Sequence, residues 1–152
     1  IIGTHGRSLY KADIAPLQKM TKDVLAKQIH VFSVKDIRKN SSWGRSWSPW
    51  RKANTPEMTI PFYANSTQKM TVAIFKDAIK VNQITVVADK GYNEVTFDVS
   101  FSKKGKRAFE KSNRKKDSET DALKAAKNGV FYLRKGTYIV KIGAAESSFE
   151  VK

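Results

Sequence analysis

The residues best suited to chemistry in this 152-residue chain are aromatic and cationic. All three tryptophans, Trp43, Trp47 and Trp50, fall within eight residues and are interleaved with Arg45 and Arg51. Indole faces match the C–H-rich faces of sugar rings and guanidinium groups satisfy hydroxyls, so this set is a candidate glycan site. The competing use is structural. Tryptophans on a long irregular loop anchor it to a sheet or a neighbouring domain, and burial is the commoner fate of so large an apolar surface. Gly44, Ser46, Ser48, Pro49 and Asn54 disfavour a helix or regular strand here, which puts the rings on a loop over residues 40–56.

A second constellation is electrostatic. The formal charge is +15, and Lys103, Lys104, Lys106 and Arg107, followed by Lys111, Arg114, Lys115 and Lys116, face Glu110 alone, giving +7 within fourteen residues. Such a block repels itself, which predicts a solvated or disordered loop; contact with a polyanion, either an acidic glycan or nucleic acid, is the functional alternative. Nucleic acid is the weaker partner of the two. The block and the tryptophans are about fifty positions apart, and no RNP-like, KH or helix-turn-helix signature occurs.

Catalysis needs converging groups, and the chain offers few. No G-x-S-x-G, H-E-x-x-H, P-loop or G-x-G-x-x-G occurs. Glycoside hydrolysis requires two carboxylates at a set separation, and Asp77, Asp89, Glu94 and Asp98 adjoin turns or strands where acids commonly close a turn. The two histidines, His5 and His30, lack metal-ligand spacing, and the absence of cysteine removes disulfides and thiolate metal sites. The expectation is a chain that is not itself an enzyme and carries neither cofactor nor metal. No apolar run approaches the ~20 residues of a membrane helix.

These groups must be positioned mainly by strands. Ile1–Tyr10 has strand character interrupted by Gly3 and Gly6. Thr21 caps a short helix over Lys22–Lys27 with Asp23 near its positive end. Ile29–Val34 is β-branched and aromatic, and Thr59–Tyr63 is a strand that Pro61 pushes toward an edge or bulge. Alternation then assigns Met70, Val72 and Ile74 to one face, and likewise Val95, Phe97 and Val99, Tyr138, Val140 and Ile142, and Phe149 and Val151. Turns are expected at residues 65–68, 77–78, 89–93 and 144–146. Ser118–Gly129 carries helix start and stop signals with too few apolar residues for a core helix. Six or seven short strands at near-regular spacing predict an all-β fold, an immunoglobulin-like antiparallel β-sandwich with one or two short surface helices.

Two segments carry resemblances. Gly3-Thr4-His5-Gly6-Arg7-Ser8-Leu9-Tyr10, followed by Asp13 and Pro16-Leu17, resembles the last blade of the BNR-repeat, sortilin-like β-propellers of glycosyl-hydrolase-type secreted proteins. Gly91-x-Asn93-x-Val95-x-Phe97-Asp98 and Gly136-Thr137-Tyr138-x-Val140 resemble the FlgD-type Ig-like modules of exported bacterial proteins. The chain departs from that pattern in having Phe97 where Trp is usual, Lys135 where Pro is usual, and no Gly after Asp77. The resemblances imply a remnant of the last propeller strand plus a linker over residues 1–28, and a sandwich over 29–152 with a basic insertion at 103–128. They also imply a preceding propeller domain as partner and export to the periplasm, cell surface or medium. The catalytic carboxylates of the parent hydrolase would then lie in upstream blades, leaving this chain an accessory or structural module.

Overall fold

Period-two alternation decides most of the architecture. The structure, a computed structural model, describes residues 2–3, 9–10, 14, 18–114 and 123–152. In chain order the elements are β1 (Ile2–Gly3), β2 (Leu9–Tyr10), α1 (Lys22–Leu25), β3 (Ile29–Val31), β4 (Met58–Ala64), β5 (Gln68–Lys76), β6 (Ile79–Ala88), β7 (Gly91–Phe97), α2 (Lys103–Arg114), β8 (Gly136–Ile142) and β9 (Ala145–Val151). The chain is mostly β, with two larger antiparallel sheets ordered β3-β4-β7 and β6-β5-β8-β9. Ile60 and Phe62 on β4 and Phe97 on β7 share one buried cluster with Val72 and Ile74 on β5 and Tyr138, Val140 and Ile142 on β8. Each of these side chains is fully buried, so the faces assigned by alternation are the faces that form the core.

β3 and the segment that follows it join the two sheets. β3 pairs antiparallel with β4 from Ile29↔Ala64 to Val31↔Phe62, and the Phe32 N–H then donates to the Pro61 carbonyl at 3.0 Å. By Ile37 the chain has reached the other sheet, where it forms a parallel bridge to Val151 and the Ile37 N–H donates to the Glu150 carbonyl at 2.9 Å. An Asp36–Lys152 ion pair at 2.7 Å fastens this crossing. That bond holds the Asp36 carboxyl below its ordinary range. Regular β3 therefore ends at Val31, short of the expected Val34.

Pro61 lies in the central strand of its sheet, contrary to the edge or bulge expected of it. The position tolerates proline because the missing N–H faces the side that β3 has already left, where only the carbonyl is needed. Three further expectations change. Ile2–Gly3 and Leu9–Tyr10 are two short strands paired with each other, where one continuous strand was expected. Val99 is fully buried but lies beyond β7, with φ 55, a conformation rare for a β-branched residue. The last hairpin turns at Gly143-Ala144, one residue earlier than expected, because Gly143 takes φ 58 at no steric cost.

α1 forms as the capping signal predicts. The Thr21 hydroxyl accepts the Val24 N–H at 3.4 Å, and Asp23 occupies the first turn. Val24 packs with Phe32 and Tyr63, and the Tyr63 hydroxyl donates to the Leu25 carbonyl at 3.3 Å.

Residues 103–114 of the basic block form a twelve-residue helix with solvated cations, where a loop was expected. Ser102 starts it: its hydroxyl accepts the Gly105 N–H at 3.0 Å and its carbonyl accepts the Lys106 N–H at 2.8 Å. Gly105 and Phe109, one turn apart, then face inward. A Cβ on Gly105 would lie 1.8 Å from the Val81 carbonyl oxygen, so only glycine permits this approach to β6. Phe109 is buried, its ring centroid 5.2 Å from that of Phe101. Burying a Phe contributes about 1.5–3 kcal/mol, whereas like-charge neighbours four apart on a helix cost only a few tenths each, so the docked helix wins.

The helix expected over Ser118–Gly129 is not present in its described part, and residues 118–122 lie outside the described residues. Leu123 inserts into the core, and the chain turns with the Ala126 N–H donating to the Val130 carbonyl at 2.9 Å. Asn128 diverts the backbone from helix: its Oδ1 accepts the Val130 N–H at 3.1 Å while its Nδ2 donates to the Tyr132 hydroxyl at 2.8 Å.

Candidate functional site

The three tryptophans do not act as one set. Trp43 is buried, edge-on to Tyr132 with centroids 5.7 Å apart, and anchors the loop. Trp47 and Trp50 are 95% and 94% exposed. Arg45 and Arg51 are exposed beside them. The structure thus buries one ring of the loop and exposes the other two.

The loop is tied at its base and at its tip. At the base the Gly44 N–H donates to the Asn54 carbonyl at 2.7 Å, and the Asn54 N–H donates to the Arg45 carbonyl at 2.8 Å. The Asn54 side chain reaches back to the Ser42 hydroxyl at 2.6 Å. Gly44, at φ 74, sits where any Cβ would meet Ala126 and Asn128, so the base lies directly on residues 126–128. At the tip the Ser46 hydroxyl donates to the Arg51 carbonyl at 2.6 Å and accepts the Ser48 N–H at 3.3 Å. The Arg51 N–H closes the turn onto the Ser48 carbonyl at 3.0 Å. Pro49 stiffens the same turn through its fixed φ. A single exposed apolar residue needs no explanation, but here two indoles three positions apart are both held in water on a turn whose backbone is bonded to itself.

The basic residues divide in a similar way. Lys103, Lys104, Arg107 and Lys111 are exposed on the outer face of α2. Lys106 is half-buried, its ammonium 3.7 Å from the Phe131 ring centroid and 3.6 Å from Glu110, so it stands apart from the exposed cations. The side chain of Arg114, together with Lys115 and Lys116, lies outside the described residues.

The acids considered for hydrolysis are spread along the fold. Asp77 is in the β5–β6 turn at φ 49, and Asp89 is in the β6–β7 link, where its N–H donates to Asn93 Oδ1 at 2.9 Å. Glu94 accepts the Tyr92 hydroxyl at 2.6 Å, and Asp98 accepts the Ser100 hydroxyl at 2.8 Å. His30 lies on β3 with its ring T-stacked on Phe32 at 4.9 Å; burial, and then the Lys27 charge, lower its pKa. His5 lies outside the described residues. Among the described residues no three of His, Cys, Asp and Glu converge on a metal site, and no helix is long and apolar enough to cross a membrane.

One feature gave no sequence signal except the misplaced proline. Where the segment after β3 leaves β4 for β9, a cavity of about 490 Å³ opens, floored by Phe32, Met58, Pro61 and Tyr92 with Lys19 and Glu57 among its polar lining. No protein family, curated protein or solved structure matches the chain.

Proposed function

We propose that this chain is a non-catalytic, immunoglobulin-like β-sandwich module that binds glycan through Trp47 and Trp50. The observation that carries the reading is the nearly complete exposure of both indoles on a turn held by its own hydrogen bonds. Arg45 and Arg51 beside them supply donors for sugar hydroxyls.

Three features support the immunoglobulin-like assignment. The sheet orders β3-β4-β7 and β6-β5-β8-β9 correspond to a seven-strand arrangement in which the chain changes sheet between β4 and β5, β6 and β7, and β7 and β8. β3 and the segment that follows it are divided between the two sheets. The buried Tyr138, near the start of the penultimate strand, donates its hydroxyl to the Arg134 carbonyl four residues upstream at 2.9 Å, the geometry of a tyrosine corner. The propeller-like motif in residues 1–18 supports placing the module beside a β-propeller in an exported glycosyl-hydrolase-type protein, where it serves as an accessory part.

The test is a Trp fluorescence titration against neutral and acidic oligosaccharides, with affinities of the parent and of a Trp47→Ala/Trp50→Ala variant, which keeps only buried Trp43, compared by calorimetry. A saturable change that weakens ten-fold or more in the variant, a loss of about 1.4 kcal/mol, is expected. No response to any glycan, or equal binding by the variant, refutes the reading.

A further inference from the structure

We propose that the glycan is an anionic polysaccharide, and that it is held along a cationic belt running from the Trp47/Trp50 turn across residues 123–133 to the outer face of α2. This inference rests on the glycan reading above and extends it to ligand class and footprint. The tryptophans and the basic block are far apart in sequence, but the fold seats both on the same segment. On one side Trp43 packs on Tyr132, and Gly44 abuts Ala126 and Asn128. On the other side Lys106 covers the Phe131 ring, and Phe101, which packs on Phe109 of α2, donates its N–H to the Phe131 carbonyl at 2.7 Å. Adjacent residues of one strand of chain therefore support the tip and the helix.

Among the described residues, charge along this path is of one sign apart from Glu110. Residues 40–56 and 123–135 contain no acid, and Glu110, the acid of α2, is engaged by Lys106. Arg45 and Arg51 are exposed at the tip, and Lys124 and Lys127 are exposed on the shared segment. The helix contributes Lys103, Lys104, Arg107 and Lys111, spaced so that they share its outer face. The acids at 117, 119 and 121 lie outside the described residues. Like charges gathered this way repel, and a polyanion relieves the repulsion by displacing their counterions. A saccharide suits the shape better than a nucleic acid. Single-stranded nucleic acid is held in a groove that tracks its backbone while bases enter stacking sites, whereas here the cations lie on a convex helix face and the indoles on a projecting turn.

The experiment measures binding of polygalacturonate and heparin, with cellohexaose as the neutral glycan and an oligo-dT of twenty nucleotides as the nucleic acid, between 50 and 200 mM salt. Three forms of the chain are compared: unmodified, Trp47→Ala/Trp50→Ala, and Lys103→Gln/Lys104→Gln/Arg107→Gln/Lys111→Gln, whose exposed positions leave the core untouched. Engaging four α2 cations makes affinity for the acidic polymers fall by roughly 50- to 150-fold over that salt range. The four-Gln variant should lose most of that dependence, with the slope of log K against log salt falling by about one per cation removed. The tryptophan variant should weaken the same polymers while leaving the slope nearly unchanged. If the tryptophan variant matters but the four-Gln variant binds like the unmodified chain, and cellohexaose binds as tightly as the acids, the belt is overturned and the glycan reading survives. If only the four-Gln variant matters, both fall and α2 is a separate polyanion site. Tighter binding of oligo-dT than of either acidic polymer, lost in both variants, replaces the saccharide with nucleic acid.

Discussion

Gly105→Ala sets two effects of opposite sign against each other, and the structure decides between them. In a solvated helix the change stabilises, because alanine is favoured over glycine by about 1 kcal/mol. In α2 the added Cβ would lie 1.8 Å from the Val81 carbonyl oxygen and 2.4 Å from its carbon, backbone atoms at the residue where the β5–β6 register shifts and where the carbonyl accepts the Ser102 N–H at 3.0 Å. The Val81 carbonyl cannot yield without giving up the Ser102 N–H that starts the helix, so the helix must retreat by roughly 1.5 Å to restore van der Waals contact. Overpacking of this kind costs about 1–3 kcal/mol, and contact with backbone, which cannot swing aside as a side-chain tip can, places it toward the upper end. Retreat also loosens Phe109 from Phe101, forfeiting part of the roughly 1.5–3 kcal/mol that its burial contributes. After subtracting the propensity gain, the net loss is about 2 kcal/mol or more. At about 2–4 °C per kcal/mol for a chain of this size, the midpoint falls by roughly 4–8 °C. Urea unfolding followed by the fluorescence of buried Trp43, with thermal circular dichroism beside it, measures the change. The companion variant Ala108→Gly, at an exposed position of α2, is expected to lose about 1 kcal/mol by propensity alone. Destabilisation by both the gain and the loss of a methyl group within four residues marks a docked helix. If Gly105→Ala is as stable as the parent, or more so, α2 does not rest on β6 and the belt loses its support.

Tyr138→Phe removes a hydroxyl whose donor bond to the Arg134 carbonyl is part-buried, and losing it is expected to cost about 0.5–1.5 kcal/mol, read as the shift in urea midpoint at constant m. A loss below about 0.5 kcal/mol would remove the tyrosine corner from the argument. Stability should also fall in acid in two windows. The folded pKa of His30 lies below its ordinary 6.5, so the unfolded chain takes up the proton first, and the stability present above about pH 6.5 is lost as the pH drops through and below that value. Asp36, held below its ordinary 3.8 by Lys152, contributes stability that is present above that value and lost as the pH falls further, weakly because the pair is exposed. His30→Gln should flatten the stability profile between pH 7.5 and 5.5 and leave the lower window intact; an unchanged slope between those values would assign the upper window elsewhere.

The strands were legible because a sheet with one buried face writes its pattern locally: Met70, Val72 and Ile74 alternate with exposed residues whatever lies across the core. α2 was not, since seven of its twelve residues are charged and only Gly105 and Phe109 mark its inner face. What makes that face worth burying is Val81, more than twenty positions earlier in the chain and on another element. Residues 123–129 misled in the opposite direction. Alanine and lysine favour helix there by about 1 kcal/mol per residue over glycine, but the insertion of Leu123 and the bond from Asn128 to Tyr132 decide against it. The split among the tryptophans was illegible for the same reason. Trp43 and Trp47 have similar neighbours, and only Trp43 meets Tyr132, a contact between residues nearly ninety positions apart.

The same long-range contacts explain how a chain of charge +15 keeps its excess from opposing the fold. Where cations would otherwise crowd the core they are given aromatic faces: Lys106 lies over Phe131 and Lys76 over Tyr138, 3.7 and 4.9 Å from the ring centroids. Such contacts offset desolvation locally by about 0.5–2 kcal/mol. The exposed cations then carry a repulsion that nothing in the core relieves. Salt alone should therefore stabilise the chain by screening it, and the four-Gln variant should need less salt to reach the same midpoint. A bound polyanion would do the same work at low salt. If stability at low ionic strength does not respond to the four-Gln change, the helix charges are already spread too widely to matter, and charge complementarity no longer argues for a polyanionic partner on this face.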